Sequence, residues 1–205
     1  MTDQAEWTRA VVRVGDGRGF VAGNGRKRFV ITAAHCLPAL PPPAGASYIE
    51  QRTFSALLGQ LGDQPSISAE CLFADSIADL AVLGSPDNQG LFDQARAYSE
   101  LVETVAPLRI GVLERGRQPI FGAPAVSRAW LISLAGEWFR CGVIVHSQAL
   151  WLENADQDLV GGMSGSPIVS ASDGAAVGIL CQATGRRQGG PNPLLSCALP
   201  GWCSG

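Results

Sequence analysis

The chain contains the stretch Gly161-Gly-Met-Ser-Gly-Ser-Pro-Ile-Val169, in which small residues surround a serine and an apolar run follows. Glycine-rich turns allow backbone N–H groups to converge beside a side chain. A serine hydroxyl is a weak nucleophile that needs a base to take its proton, and donors aimed at the oxygen where charge develops. The stretch therefore predicts a reactive Ser164 at a turn leading into a strand, provided that another part of the chain supplies the base.

Two earlier stretches contain a suitable base and a carboxylate. Thr32-Ala-Ala-His-Cys36 ends a predicted strand with a histidine, and Ala78-Asp-Leu-Ala-Val-Leu83 begins one with an aspartate. An imidazole accepts and returns a proton near neutral pH, and a carboxylate can hold its tautomer. The order histidine, aspartate, serine differs from the serine, acid, histidine order of α/β-hydrolases and excludes that fold.

Together the three stretches resemble the motifs of the chymotrypsin/trypsin-like serine peptidases, in the same order and over nearly the whole chain. The resemblance implies an all-β fold of two antiparallel six-stranded β-barrels with the site in the crevice between them. It implies a catalytic triad of His35, Asp79 and Ser164, an oxyanion hole of the Gly162 and Ser164 N–H groups, and no metal or cofactor. Gly17-Arg-Gly-Phe-Val21 resembles a strand of bacterial members, so we expect a bacterial serine endopeptidase.

Composition agrees with a β-rich globular chain. Among 205 residues there are 25 glycines and 13 prolines, and short apolar runs between them are typical of strands joined by turns. The formal net charge of −3 offers no electrostatic basis for binding nucleic acid.

Apolar residues at helical spacing from Leu91 to Val105 indicate a helical connector. We therefore predict an N-terminal barrel over 1–90, a connector over 91–106 and a C-terminal barrel over 107–205.

Alternating or apolar runs place the predicted strands within these halves. In the first half they are 10–14, 19–23, 28–32, 48–54, 66–73 and 79–83. In the second half they are 108–113, 119–122, 130–134, 139–145, 149–152, 167–170 and 176–181.

The N-terminal residues show no basic segment followed by an apolar core, and no apolar run is long enough to span a bilayer. We therefore expect a cytoplasmic protein. The six cysteines are scattered without a Cys-x-x-Cys pair, so we expect mostly reduced thiols and no zinc site, with a Cys197–Cys203 disulfide left open. No cysteine precedes Cys36, so the bridge that secreted relatives form there is excluded.

Substrate preference is less strongly marked. Asp158 lies six residues before Ser164, where trypsin-like relatives carry the acid of a Lys/Arg pocket, although it could equally be a solvated turn residue. The stretch that contains Cys181, Gln182 and Ala183 resembles the strand that pairs with the substrate backbone.

Three neighbouring residues have other expected roles. Met163 stands where many members of the resembled family carry an aspartate, which binds the new N-terminus when a zymogen is cleaved. We therefore do not expect activation by such a cleavage. We expect Ser166 not to be the nucleophile, and His146, which has no partner motif, to be structural.

Three functions remain open at this point. The first is a serine endopeptidase acting on proteins or peptides. The second is a catalytically silent or partner-activated peptidase-fold module of bacterial defence or signalling, fused to or encoded beside a sensor protein. The third is an esterase or another acyl-transfer enzyme. We expect neither nucleic acid nor a membrane as partner.

Overall fold

The fold consists of two β-barrels, and an α-helix lies between them in the chain. A computed structural model describes residues 4–24, 27–40, 52–87, 89–113, 126–146, 149–182 and 194–198. The strands of the first barrel are β1 (Val11–Val14), β2 (Gly17–Asn24), β3 (Lys27–Thr32), β4 (Thr53–Gln60), β5 (Ile67–Asp75) and β6 (Leu80–Gly84). Those of the second are β7 (Ser127–Ile132), β8 (Trp138–His146), β9 (Ala149–Glu153), β10 (Pro167–Ser170), β11 (Ala176–Gln182) and β12 (Leu194–Ala198). The α-helices of the described residues are α1 (Gln4–Ala10) and α2 (Phe92–Glu103), and a 3₁₀ turn, Gln89–Leu91, leads into α2.

Both barrels are closed and antiparallel. The first has the strand order β1-β2-β3-β6-β5-β4, and the second has the order β10-β11-β12-β9-β8-β7. Closure leaves no open sheet edge, and the inward-facing side chains form the core. Phe20 and Ile31 are fully buried in the first barrel, as are Leu131 and Ile168 in the second. The predicted all-β fold of two six-stranded barrels is confirmed.

The two helices fasten the chain to the barrels. Helix α2 buries Tyr98, Leu101 and Val102, and the Tyr98 hydroxyl donates to the Leu83 carbonyl of β6 at 3.0 Å. The helical spacing in the sequence was therefore a correct indication. Helix α1 was not predicted, because its seven residues are too few to form a helix without tertiary contacts. Its Trp7 ring meets the Trp138 ring of β8 edge to face, with the centroids 5.3 Å apart.

Some strand predictions were wrong. Residues 48–51 of the predicted strand 48–54 lie outside the described residues, and its last two residues begin β4, which runs on to Gln60 with a register shift between Phe54 and Leu58. Ala56, with φ of 48°, interrupts the alternation that marks a strand in a sequence. The predicted strand 108–113 is reduced to two single bridges, from Leu108 to β2 and from Ile110 to β11. Strand β12 was not predicted, and the predicted strand 119–122 lies outside the described residues.

The helices of the described residues are short or polar. None of them is long and apolar enough to cross a membrane.

Candidate active site

His35 and Asp79 form a hydrogen-bonded pair in the first barrel. His35 lies in a single 3₁₀ turn, Ala34–Cys36, directly after β3, and Asp79 directly precedes β6, which pairs with β3. The His35 Nδ1 atom lies 2.7 Å from Asp79 Oδ2, and the His35 backbone N–H donates to Asp79 Oδ1 at 2.9 Å. With Nδ1–H donating to the carboxylate, Nε2 is left as the proton acceptor.

Asp79 adopts an unusual backbone conformation. Its φ is 54°, in the left-handed region, which costs most residues about 1–2 kcal/mol and which aspartate and asparagine tolerate best. The Asp79 carbonyl accepts the Ala34 N–H at 3.1 Å. Main chain and carboxylate of Asp79 therefore both bind the turn that carries His35, and the carboxylate also binds the imidazole ring.

Ser164 lies in the turn before β10, and backbone contacts fix this turn. The Ser164 carbonyl accepts the Arg18 N–H of β2 at 2.7 Å, and the Gly165 N–H donates to the Leu180 carbonyl of β11 at 2.6 Å. Gly165 has φ of 80°, and a Cβ there would lie 1.9 Å from the Arg18 carbonyl oxygen. Only glycine allows β2 to approach this closely, so the glycine after Ser164 brings the second barrel against the first.

Two N–H groups of the turn are available to a ligand. Gly162 has φ of 87°, and within the described residues neither the Gly162 nor the Ser164 N–H takes part in a backbone hydrogen bond. Both residues line the same cavity. N–H groups without an acceptor that face a cavity can stabilise an oxyanion there.

His35 and Ser164 come together at a cavity of about 360 Å³ between the barrels. Within the described residues, the Ser164 hydroxyl and the His35 imidazole are not hydrogen-bonded to each other. Such bonds are often long before substrate binds. The cavity is lined by Gly15, Asp16, Gly17, His35, Cys36, Leu37, Pro38, Gly162 and Ser164.

The two serines of the turn differ in environment. Ser164 is partly exposed and lines the cavity, whereas Ser166 is completely buried. The Ser166 hydroxyl has no hydrogen-bond partner within the described residues. A buried hydroxyl cannot meet a substrate, so Ser164 is the serine that this geometry presents.

Cys36 forms part of the cavity wall, and its Sγ lies 3.7 Å from the Ser164 carbonyl oxygen. Burial is the main cause that raises the pKa of the Cys36 thiol. A Cβ on Gly17 would lie 2.4 Å from this sulfur, so glycine occupies the place where a bridging cysteine would stand. Four cysteines are present as thiols: Cys36, Cys71, Cys141 and Cys181. Cys203 and the side chain of Cys197 lie outside the described residues.

Of the residues predicted to contact substrate, the two whose side chains the structure describes, Asp158 and Cys181, do not line this cavity. Asp158 is exposed and is absent from the cavity lining. Cys181 is buried in β11, with Sγ 3.8 Å from the Asp79 carbonyl oxygen, so it lies against the backbone of the His35–Asp79 pair. Gln182 ends β11, and its side chain, like Ala183, lies outside the described part of the chain.

Two further residues have simpler environments. Met163 is buried in the core of the second barrel. His146 ends β8, and its side chain is not described. Across the described ranges, no three His, Cys, Asp or Glu side chains converge as a metal site.

Arg18, which joins the two barrels beside this cavity, was not predicted as a residue of the site. This residue is 3% exposed, and its guanidinium donates to three carbonyl oxygens of the second barrel. In the sequence it is only the variable position of a Gly-x-Gly stretch, and its partners lie more than a hundred residues later.

Comparisons with known proteins agree with this architecture. No family model matches the chain, and no curated protein matches it. Among solved structures, a human pathogenic astrovirus serine protease matches with a TM-score of 0.50 at 14% identity, over 95% of this chain and 92% of that one. A mutant of human heparin binding protein matches with a TM-score of 0.52 at 13% identity, over 95% and 88%. At these identities the likeness concerns the fold alone: the chain has the double-barrel fold of chymotrypsin-like serine proteases.

Proposed function

We propose that the chain is a serine endopeptidase that cleaves peptide bonds with Ser164 as nucleophile. The observation that carries the proposal is the cavity at which His35, with Nδ1 on the Asp79 carboxylate at 2.7 Å, meets Ser164 and the N–H of Gly162. These are the parts that acyl transfer needs: a base, a residue that orients it, a nucleophile and oxyanion donors.

In the proposed mechanism, His35 Nε2 takes the hydroxyl proton while Ser164 Oγ attacks the carbonyl carbon of the scissile bond. The N–H groups of Gly162 and Ser164 bind the oxygen on which negative charge develops. The imidazolium then gives its proton to the leaving amine, and an acyl-enzyme remains. A water molecule, deprotonated by His35, attacks this ester, and the acyl group leaves as a carboxylic acid while His35 returns the proton to Ser164 Oγ.

The Asp79 carboxylate has two tasks in this mechanism. It keeps the proton on Nδ1, so that Nε2 faces the serine, and it stabilises the imidazolium. Its second oxygen accepts the His35 backbone N–H, which fixes the ring relative to its own main chain. We also propose that Asp158 and the strand end at Cys181, Gln182 and Ala183 contribute to substrate binding, as the resemblance implies.

Cleavage of a peptide library tests the proposal. The wild-type chain is compared with Ser164→Ala and with the control Ser166→Ala, which removes a buried hydroxyl of the same turn. We expect wild type and Ser166→Ala to cleave, and Ser164→Ala to lose about 10³-fold or more in rate. Cleavage that survives in Ser164→Ala would overturn the proposal.

Two other outcomes would support other functions. Hydrolysis of activated esters by wild type, without cleavage of any peptide, would indicate an esterase or another acyl-transfer enzyme. A folded wild-type chain that hydrolyses neither class, with or without a candidate partner protein, would indicate a silent binding module.

A further inference from the structure

Arg18 is a buried cation that the proposed mechanism does not use. It lies on β2 of the first barrel and is 3% exposed. No carboxylate among the described residues lies within ion-pair distance of it. Burial, and secondly the charge of Arg13, lower its pKa, although an arginine stays protonated in proteins. A charge in such a place is costly unless hydrogen bonds satisfy it.

Carbonyl oxygens of the second barrel satisfy this guanidinium. Nη1 donates to the Ile132 carbonyl at 3.2 Å and to the Ser133 carbonyl at 2.8 Å, and Nη2 donates to the Leu134 carbonyl at 3.1 Å. These carbonyls stand at the end of β7, where residues 133–137 turn back into β8. Charge-assisted bonds are among the stronger ones in proteins, so Arg18 fixes this hairpin turn relative to β2.

The hairpin turn lies beside the proposed oxyanion hole. A Cβ added to Gly162 would lie 3.4 Å from Leu134 Cδ2, so the half-exposed Leu134 side chain is a near neighbour of Gly162. The main chain of Arg18 binds the other side of the Ser164 turn, residues 161–165, because the Arg18 N–H donates to the Ser164 carbonyl at 2.7 Å. Its own carbonyl accepts the Thr32 hydroxyl at 2.6 Å, which fixes it to β3.

We infer that Arg18 is a positioning residue for the oxyanion hole. Its main chain sets the Ser164 side of residues 161–165, and its side chain sets the Gly162 side through the hairpin turn at residues 133–137. The catalytic consequence rests on the proposed function, whereas the mechanical coupling of the two turns does not.

Two substitutions separate this role from general stability. Arg18→Met keeps the apolar stem and removes every donor, whereas Arg18→Lys keeps a charge with fewer and differently directed donors. The matched control is Arg109→Met. Arg109 likewise joins distant segments, since its Nη2 donates to the Asp173 carbonyl and carboxylate, but it does not line the cavity.

The first measurement needs no activity. Hydrogen exchange followed by mass spectrometry should show faster deuterium uptake in Arg18→Met at residues 133–137 and also at residues 161–165, with unchanged uptake in β3. Arg18→Lys should lie between Arg18→Met and wild type, and Arg109→Met should match wild type in both segments. A folded Arg18 variant with wild-type exchange at residues 161–165 would overturn the inference. If Arg18→Met does not fold, Arg18→Lys decides.

The second measurement is the reaction of Ser164 with a fluorophosphonate, analysed as a limiting rate and a half-saturation concentration. A displaced oxyanion hole should lower the limiting rate about 10- to 100-fold in Arg18→Met and leave the half-saturation concentration within about twofold. A limiting rate equal to wild type would overturn the catalytic part of the inference. If wild type itself does not react, the proposed function fails, and the exchange data still decide the coupling.

Discussion

The two barrels contribute to the site in different ways. On the first barrel, side chains hold the reactive group: the Asp79 carboxylate binds both the His35 ring and the His35 backbone. On the second barrel, main-chain hydrogen bonds hold Ser164: its carbonyl accepts the Arg18 N–H, and the next N–H, that of Gly165, donates to the Leu180 carbonyl. The proposed base is therefore positioned by side chains that a sequence motif contains, and the proposed nucleophile by the close approach of two backbones. Substitutions of the His35–Asp79 pair should mainly change reactivity, and substitutions that disturb the backbone contacts around Ser164 should mainly change stability.

The largest effect is expected for Asp79→Asn. Asparagine tolerates the left-handed backbone at φ of 54°, so the fold should be kept. The amide cannot hold the proton on His35 Nδ1 in the same way, so the rate at which Ser164 reacts with a fluorophosphonate should fall by about 10⁴-fold. The free energy of unfolding, measured with denaturant, should stay within about 1 kcal/mol of the wild-type value. A rate within tenfold of wild type would contradict the role of the pair.

Gly165→Ala should show the opposite pattern. The new Cβ would lie 1.9 Å from the Arg18 carbonyl oxygen, at a backbone φ of 80° that alanine disfavours. We expect the free energy of unfolding to fall by about 3 kcal/mol or more. The control is Gly161→Ala, where a Cβ has no neighbour within 4 Å and stability should change little. Equal stability of the two variants would show that the barrels do not meet as described.

Gly17→Cys examines a contact within the first barrel, between β2 and the turn that carries His35. Its Cβ would lie 2.4 Å from Cys36 Sγ, so the side chain is crowded when reduced and placed for a disulfide when oxidised. The oxidised protein should be more stable than the reduced protein by about 2–4 kcal/mol, and it should have lost two titratable thiols. Gly17→Ala, which has the crowding without the bond, should be destabilised in both conditions. Unchanged thiol numbers under oxidising conditions would contradict the geometry.

Ser166→Ala should have the smallest effect. Its hydroxyl is buried without a partner in the described part of the chain, so its removal relieves an unsatisfied polar group. We expect stability equal to wild type or higher by about 0.5–1 kcal/mol, with an unchanged rate of reaction at Ser164. A loss of stability above 1 kcal/mol would show that the hydroxyl has a partner.

The same contrast explains how much the sequence could predict. The motifs around His35, Asp79 and Ser164 indicated the double barrel, and the helical spacing after Leu91 indicated α2. Arg18 could not be found in this way, because its partners are backbone carbonyls beyond residue 130 and carbonyls have no sequence signature. Helix α1 depends on the contact between Trp7 and Trp138, which no local pattern predicts.

Strand errors have a similar cause. The left-handed φ of Ala56 shifts the register of β4, and an alternation of apolar and polar residues does not predict such a shift. Residues 108–113 are apolar enough for a strand, yet they run between the barrels and make one bridge to each. The division into 1–90, 91–106 and 107–205, the cytoplasmic location and the partner proteins stay predictions.

The reaction of the chain with a fluorophosphonate tests the central claim most directly. Mass spectrometry of the digested protein should locate a single phosphonyl group on Ser164 in wild type. His35→Ala should react at least about 10³-fold more slowly while keeping its fold. A group found on another residue, or undiminished reaction of Ser164 in His35→Ala, would contradict the account.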